Sequence, residues 1–306
     1  MTARAAPPPV RPRTRRLSTA YLFVLPYLLF LLAFGVGPAV YIVFLSLFNT
    51  TGQTLRFDGL ANYFTVFKDF RFSSSLINPL LFTLVWLPLM VVAVLFLALL
   101  LHARPGRFSE AMRLSYYLPG AVAGPANVLI WIFMFDPSVS PFGPLLRGIG
   151  LNQASEVLKA GHLPLIFTVM VLFTTLGSWV ITVYTSLITI SVEVYEAAKV
   201  DGCNAFQMAL FIKIPLVSKQ ILYMVVLNLA FGFQLIVEPN LLYGATLGAA
   251  SNPAWTVNQL AGFYSSTLLN TGAAAAISVG LLALSLAGVL YLVLKTTFYQ
   301  IDAEGE

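Results

Sequence analysis

The sequence has 306 residues, of which 58% are hydrophobic and 9% charged, with a formal net charge of +5. A soluble domain carries about 25% charged residues, so this chain has too few to cover a water-facing surface and reads as a membrane protein. No basic patch interleaves with aromatics, which argues against nucleic acid as a partner, and a single cysteine, Cys203, excludes an internal disulfide or a cysteine-built metal centre.

Residues 1–18 are rich in Pro and Arg and read as a disordered cytoplasmic tail, with 19–306 forming one membrane domain whose core is expected at 76–297. The apolar run from about 20 to 47 is twice the length of a signal-peptide core, which spans about 7–15 residues, so it is expected to stay as the first membrane helix. Five more runs follow at 77–101, 113–135, 163–188, 217–240 and 272–295. Each approaches or exceeds the roughly 20 helical residues that cross a hydrocarbon core. The runs are continuous, as in Val91–Leu101, whereas barrel strands alternate over segments of about ten residues. The fold class expected is therefore all-α, with six transmembrane helices.

The connecting segments 48–76, 102–112, 136–162, 189–216 and 241–271 alternate sides of the membrane. Only Arg56, Lys68, Arg71, Arg147 and Lys159 of the 17 Lys and Arg fall on the side opposite the tail. Basic residues collect on the cytoplasmic side, so both termini are expected there, in a multi-pass protein of a cytoplasmic membrane. Pro26, Pro38, Pro88, Pro125 and Pro164 lie in the runs and are expected as packing kinks.

The segment 189–216 is the most informative. Ser191 is placed to cap a first short helix with Glu193 in its first turn, where the helix dipole favours an acid. Glu196, Ala197 and Ala198 continue the helix, and Gly202 supplies a left-handed end. Asn204 and Gln207 have the spacing of a capping box for a second helix, with Phe206, Ala209 and Leu210 on one face. Pro215 marks the start of the next span. Composition alone leaves two readings open, a docking element or an amphipathic hairpin on the bilayer surface.

Glu196-Ala197-Ala198, Gly202, Ile212 and Pro215 resemble the EAA-x3-G-x9-I-x-L-P loop of the permease subunits of type I ABC importers. Ile214 stands in the Leu position, and Val192 where sugar-type relatives carry proline. Asp201 before Gly202 is similar to the carbohydrate branch. The resemblance extends along the chain: Leu60–Phe64 is similar to the family's lxNY stretch, Leu118-Pro119 to its flP step, Trp131 to the tryptophan ending that span, and Asn270–Ala276 to its yGxAaA motif. It departs at 235–256, where the family has an LTGGGP run. The resemblance implies a coupling loop between the fourth and fifth helices that sits in a cleft of a cytoplasmic ATPase. It also implies two ATPase subunits, a second permease and an extracellular or periplasmic solute-binding protein. ATP and Mg would be held by the partners, since this chain has no G-x4-G-K-[ST] motif and its glycine-rich stretch at 244–248 lacks the lysine. No catalytic or metal site is expected in the chain.

Polar side chains within the apolar runs are the candidates for a ligand pathway. Glu238 is joined by Gln234 at helical spacing, with Asn240 and Tyr243 nearby; Asn127 and Trp131 repeat that spacing in the third run, and Trp179 lies midway in the fourth. Aromatic faces with amides suit sugars, and the runs are read as free of Lys and Arg in their interiors, which argues against a strongly anionic ligand such as phosphate or sulfate. A sugar-like substrate is expected, with a glycerol phosphodiester or a peptide as alternatives. An ion-coupled transporter would show an internal repeat and mid-membrane ion sites, and neither is evident. A membrane enzyme would need clustered His, Asp or Glu, whereas His102 and His162 fall on opposite sides.

Overall fold

A computed structural model describes residues 19–50, 55–122, 124–248 and 252–295; the expected disordered tail, 1–18, lies outside them. The first helix, α1 (19–46), runs as α over Thr19–Phe30, widens to a π-turn over Leu31–Val36 and resumes as α over Gly37–Ser46. Pro38 accounts for the widening. It has no N–H for the carbonyl of Phe34, and the Gly37 N–H reaches back to Leu32 O instead.

A two-stranded antiparallel ribbon, β1 (Phe48–Asn49) with β2 (Arg56–Phe57), and a short helix, α2 (Ala61–Lys68), connect to α3 (Phe70–Ala103). Then follow α4 (Arg107–Tyr117), a 3-10 turn (Leu118–Ala121), α5 (Gly124–Met134), and two short helices, α6 (Gly143–Gly148) and α7 (Ala154–Val157). The chain continues as α8 (Leu163–Ile188), α9 (Val192–Val200), α10 (Ala205–Leu216, with a π-turn at Met208–Lys213), α11 (Ser218–Phe233), α12 (Val237–Ala245), α13 (Val257–Ser266) and α14 (Thr271–Lys295).

Among the described residues five helical segments are long and apolar enough to cross a membrane: 23–46, 70–103, 160–188, 218–245 and 271–291. The expected third span, 113–135, is not one straight helix. It begins earlier, at Arg107, and the two parts, Arg107–Ala121 and Gly124–Met134, meet at 99°. Pro119, Gly120, Gly124 and Pro125 weaken the ladder there. The expected fifth span is interrupted at 234–236. Pro239 has no N–H for the Leu235 carbonyl, so the ladder cannot run through. Pro125 and Pro164 stand in the first turn of their helices, where a missing N–H costs nothing, while Pro26, Pro38, Pro79 and Pro88 are interior to continuous helical segments.

The parallel pair α3 and α8 forms the spine. Toward the Leu163 end, Phe82, Trp86, Phe167, Met170, Leu235 and Trp255 form a buried cluster. Toward the Ile188 end, Met90, Val94, Leu101, Val183, Leu187 and Met224 form another. Apolar burial separates such helices from lipid only weakly, so close backbone approach carries the association. A side chain at Gly177 of α8 would overlap the Tyr116 carbonyl of α4, and one at Gly232 of α11 would overlap Thr83 of α3.

The motif-like stretches around Asn62 and Gly272 meet in space. Asn62 Nδ2 donates to the carbonyls of Ser46 and Phe48, each at 2.9 Å, and the Gly272 N–H donates to Thr50 Oγ1 at 2.8 Å. A Cβ at Gly272 would overlap the Phe48 carbonyl. These bonds hold the end of α1 against the start of α14. The rest of α1 stands apart, with none of its most apolar window buried.

Candidate functional site

The segment 189–216 folds as two short helices and a turn. Ser191 occupies the N-cap position of α9 in extended conformation, but its side chain does not accept from the helix as expected; its hydroxyl bonds the Glu193 carboxylate instead. That bond and the helix N–H hold Glu193 below the usual glutamate range, the backbone contribution being larger. Gly202 has φ +82°, the left-handed end expected of it. The capping box closes in both directions: Asn204 Oδ1 accepts from Gln207 N–H at 2.8 Å, and Asn204 N–H donates to Gln207 Oε1 at 2.9 Å. Phe206, Ala209 and Leu210 line one groove against the end of α3. Pro215 lies one turn before α11, and Ile212 is half-buried.

The underside of this unit is anchored. Ala198 and Met208 are buried. Tyr195 Oη donates to the Leu187 carbonyl at 3.0 Å, and its ring meets the His102 ring edge-on at 5.4 Å. Lys213 Nζ donates to His102 Nδ1 at 3.0 Å and lies 5.3 Å from the centre of the Tyr195 ring. Burial, and then the charge of Lys199, push the Lys213 ammonium below the usual lysine range. Burial also raises Tyr195. The outer face is free: Glu196, Ala197, Asp201 and Gly202 are all exposed, and Cys203 is half-buried. The arrangement is a rigid platform that presents a carboxylate and small residues outward. His102, expected in a loop, closes the last turn of α3.

The pathway candidates do not converge. Gln234 and Glu238 were expected on one helical face, but Gln234 ends α11 and Glu238 begins α12, so the break separates them. Gln234 lines an open groove of about 410 Å³ with Ile236, Asn258, Ser278, Leu282 and Ser285. Asn240 Oδ1 accepts from Gln259 Nε2 at 2.9 Å, and Tyr243 is half-buried beside Gly248. Asn127 is buried and donates to the Met170 carbonyl at 3.2 Å, leaving its Oδ1 without a partner. Trp131 packs on Phe135 and Phe173 and lines a second groove of about 340 Å³; Trp179 meets Tyr223 edge-on at 6.1 Å. Arg113 corrects the expectation that the runs hold no Lys or Arg: it opens the run 113–135 and stacks on Tyr184 at 4.8 Å. Sequence reading missed Asn258, Ser278 and Ser285. The two serines are seven apart on one face of the last helix, which was the available signal.

A third polar cluster ties the opposite end of the molecule. Asp69 caps α3 and accepts two bonds from the Arg71 guanidinium, at 3.0 and 2.8 Å, and one from Tyr264 Oη at 2.8 Å.

No family model matches the chain. It is 30% identical over 236 residues to YurN, a probable ABC transporter permease protein of Bacillus subtilis (strain 168), covering 76% of this chain and 80% of that one. It is 24% identical to AraP, the arabinooligosaccharides transport system permease protein of the same organism, over 73% of this chain and 71% of that one. Among solved structures, a chain of a bacterial ABC transporter involved in the import of the acidic polysaccharide alginate superimposes with a TM-score of 0.75 at 18% identity, over 90% of this chain and 93% of that chain.

Proposed function

This chain belongs to the ABC transporter permeases, and we propose that it is the membrane subunit of an importer whose 189–216 segment couples the spans to a cytoplasmic ATPase. In this reading α4 and α5 together make the third of six spans, and both termini lie in the cytoplasm. Two ATPase subunits hydrolyse ATP with Mg, a second permease completes the pathway, and an external binding protein delivers the solute. The observation that carries the reading is the platform: Glu196, Ala197, Asp201 and Gly202 face outward while Tyr195, Ala198 and Lys213 fix the unit to the ends of α3 and α8. A pull on such a unit is transmitted to the spans, since it has no slack of its own. The unpacked length of α1 is a surface for lipid or for the second permease.

The substrate proposed is a sugar or oligosaccharide. The related AraP protein is named for arabinooligosaccharides. The groove at Gln234 is lined by amide, hydroxyl and aliphatic groups without a cation, which suits a neutral polyol better than an acidic chain. The test is affinity purification of the tagged chain in mild detergent with ATPase activity assayed in the eluate. An ATPase should co-purify with the native chain and be lost with Glu196→Lys, while Glu196→Lys still inserts and elutes as a folded species, because the residue touches nothing inside. Recovery of full ATPase-coupled uptake in Glu196→Lys would remove the segment from this role.

A further inference from the structure

The segment 189–216 has a second surface, apart from the outward face of Glu196, Ala197 and Asp201. Between its second helix, α10, and the last two turns of α3 runs a groove of about 490 Å³, lined by Phe96, Leu99, Leu100, Phe206, Leu210 and Lys213. Its rim is apolar and open: Phe96 is 64% exposed and Phe206 74%. α10 is apolar but too short to span, as an interfacial helix is. The wall supplied by α3 ends at Ala103, directly before Arg104 and Arg107. Apolar walls at the end of a membrane helix, followed at once by basic residues, put the groove at the boundary between acyl chains and headgroups.

The one charged side chain lining it has no counter-ion. Lys213 gives one hydrogen bond to His102 Nδ1 and lies over the Tyr195 ring. Among the described residues the single carboxylate–cation pair is Asp69 with Arg71, so no carboxylate reaches Lys213. Burial, and then the charge of Lys199, already disfavour the ammonium. An anion beside Lys213 relieves that repulsion, and an acyl chain covers Phe96, Leu100 and Leu210 from water.

We propose that this groove binds one anionic phospholipid of the inner leaflet, its phosphate on Lys213 and an acyl chain between α3 and α10, so that the lipid braces the platform that meets the ATPase. The proposal rests on the reading that 189–216 faces the cytoplasm. A free phosphate ester would satisfy Lys213 but leave the walls bare, and a polypeptide partner would have to enter the hydrocarbon boundary to fill them.

The test uses the purified chain in mild detergent, with bound lipid counted by native mass spectrometry. The ligands are phosphatidylglycerol, phosphatidylcholine of matched acyl chains, and acyl-free glycerol phosphate. The native chain should prefer phosphatidylglycerol over phosphatidylcholine about fivefold, the preference expected from one basic residue near an anionic surface. Lys213→Met should abolish the preference and Lys213→Arg should keep it. Leu210→Trp, which fills the groove, should lower binding of both lipids. Displacement by glycerol phosphate alone, or an undiminished preference in Lys213→Met, overturns the proposal. The single native cysteine separates this from a failure of topology. In cells making the chain alone, Cys203 should react with a membrane-impermeant maleimide in inverted vesicles and not in spheroplasts. The opposite labelling overturns the orientation, whatever the lipid counts show.

Discussion

At Gly202 the backbone sits at φ +82° with open space around the position where a Cβ would stand. Gly202→Ala therefore meets no neighbour, and its cost is purely that of a left-handed residue, about 1 kcal/mol. A thermal melt should show a drop of a few degrees with the native oligomeric state retained. The loss grows with a β-branched residue such as Val. The Asp69 clamp behaves differently, because it is electrostatic. Hydrogen bonds from Arg71, chiefly its guanidinium, hold the Asp69 carboxyl at about 2 against an ordinary 3.8, and burial followed by Asp69 itself raises Tyr264 to about 12. A depressed carboxyl contributes stability that is complete above its unfolded value and is lost as pH falls through the folded one. Stability should thus decline between about pH 4 and pH 2, and Asp69→Asn should flatten that decline while lowering stability at pH 7. Melting the two proteins across that range tests it. The residues of 189–216 were readable because capping and glycine geometry are local: Gly202, Asn204 and Gln207 behave as their neighbours in sequence require. Ser191 was misread because the Glu193 carboxylate itself accepts from the Glu193 N–H, a donor the Ser191 oxygen was expected to cap, and the hydroxyl is left to donate to that carboxylate.

Among the elements, α4 and α8 approach so closely that Gly177 leaves no room for a side chain against the Tyr116 carbonyl. The contact is with backbone, which cannot move aside without unwinding α4. Gly177→Leu should cost more than the 1–3 kcal/mol usual for overpacking, or about as much as the helix pair contributes. The measurement is the fraction of chain recovered as a monodisperse species in detergent, where a substitution at the open Gly161 serves as control. Recovery equal to the native chain would mean that α4 can shift. Hydrophobic runs fixed the spans well, since α8 occupies Leu163–Ile188 and the run expected there is 163–188. They said nothing of the bend between α4 and α5 or the break at 234–236. A hydropathy run measures transfer to lipid, which is indifferent to direction. Pro119, Pro125 and Pro239 held that information, and only the turn geometry around them turned it into a bend or a break.

The described residues form a spine of α3 and α8 with α11 packed beside it, while α14 packs on α13, α2 and α11 and holds one end of α1. The pathway candidates scatter over this frame: Gln234 opens on one groove, Trp131 on another, and Trp179 packs against Tyr223. Sequence reading picked polar residues by depth, and depth does not tell which face of the molecule a residue occupies. In 189–216 the motif residues were legible as a surface because capping and turn geometry fix which side of a short helix faces out, and Glu196, Ala197 and Asp201 are exposed.

The central claim, that this surface meets an ATPase, is tested most directly by site-specific photocrosslinking in cells that carry the whole transporter. A photoreactive residue at Ala197 should give an adduct with the ATPase subunit, and one at Val139, also exposed and in the segment assigned to the far side, should give none. An ATPase adduct from Val139 and not from Ala197, in a complex that still hydrolyses ATP, would contradict both the topology and the coupling role.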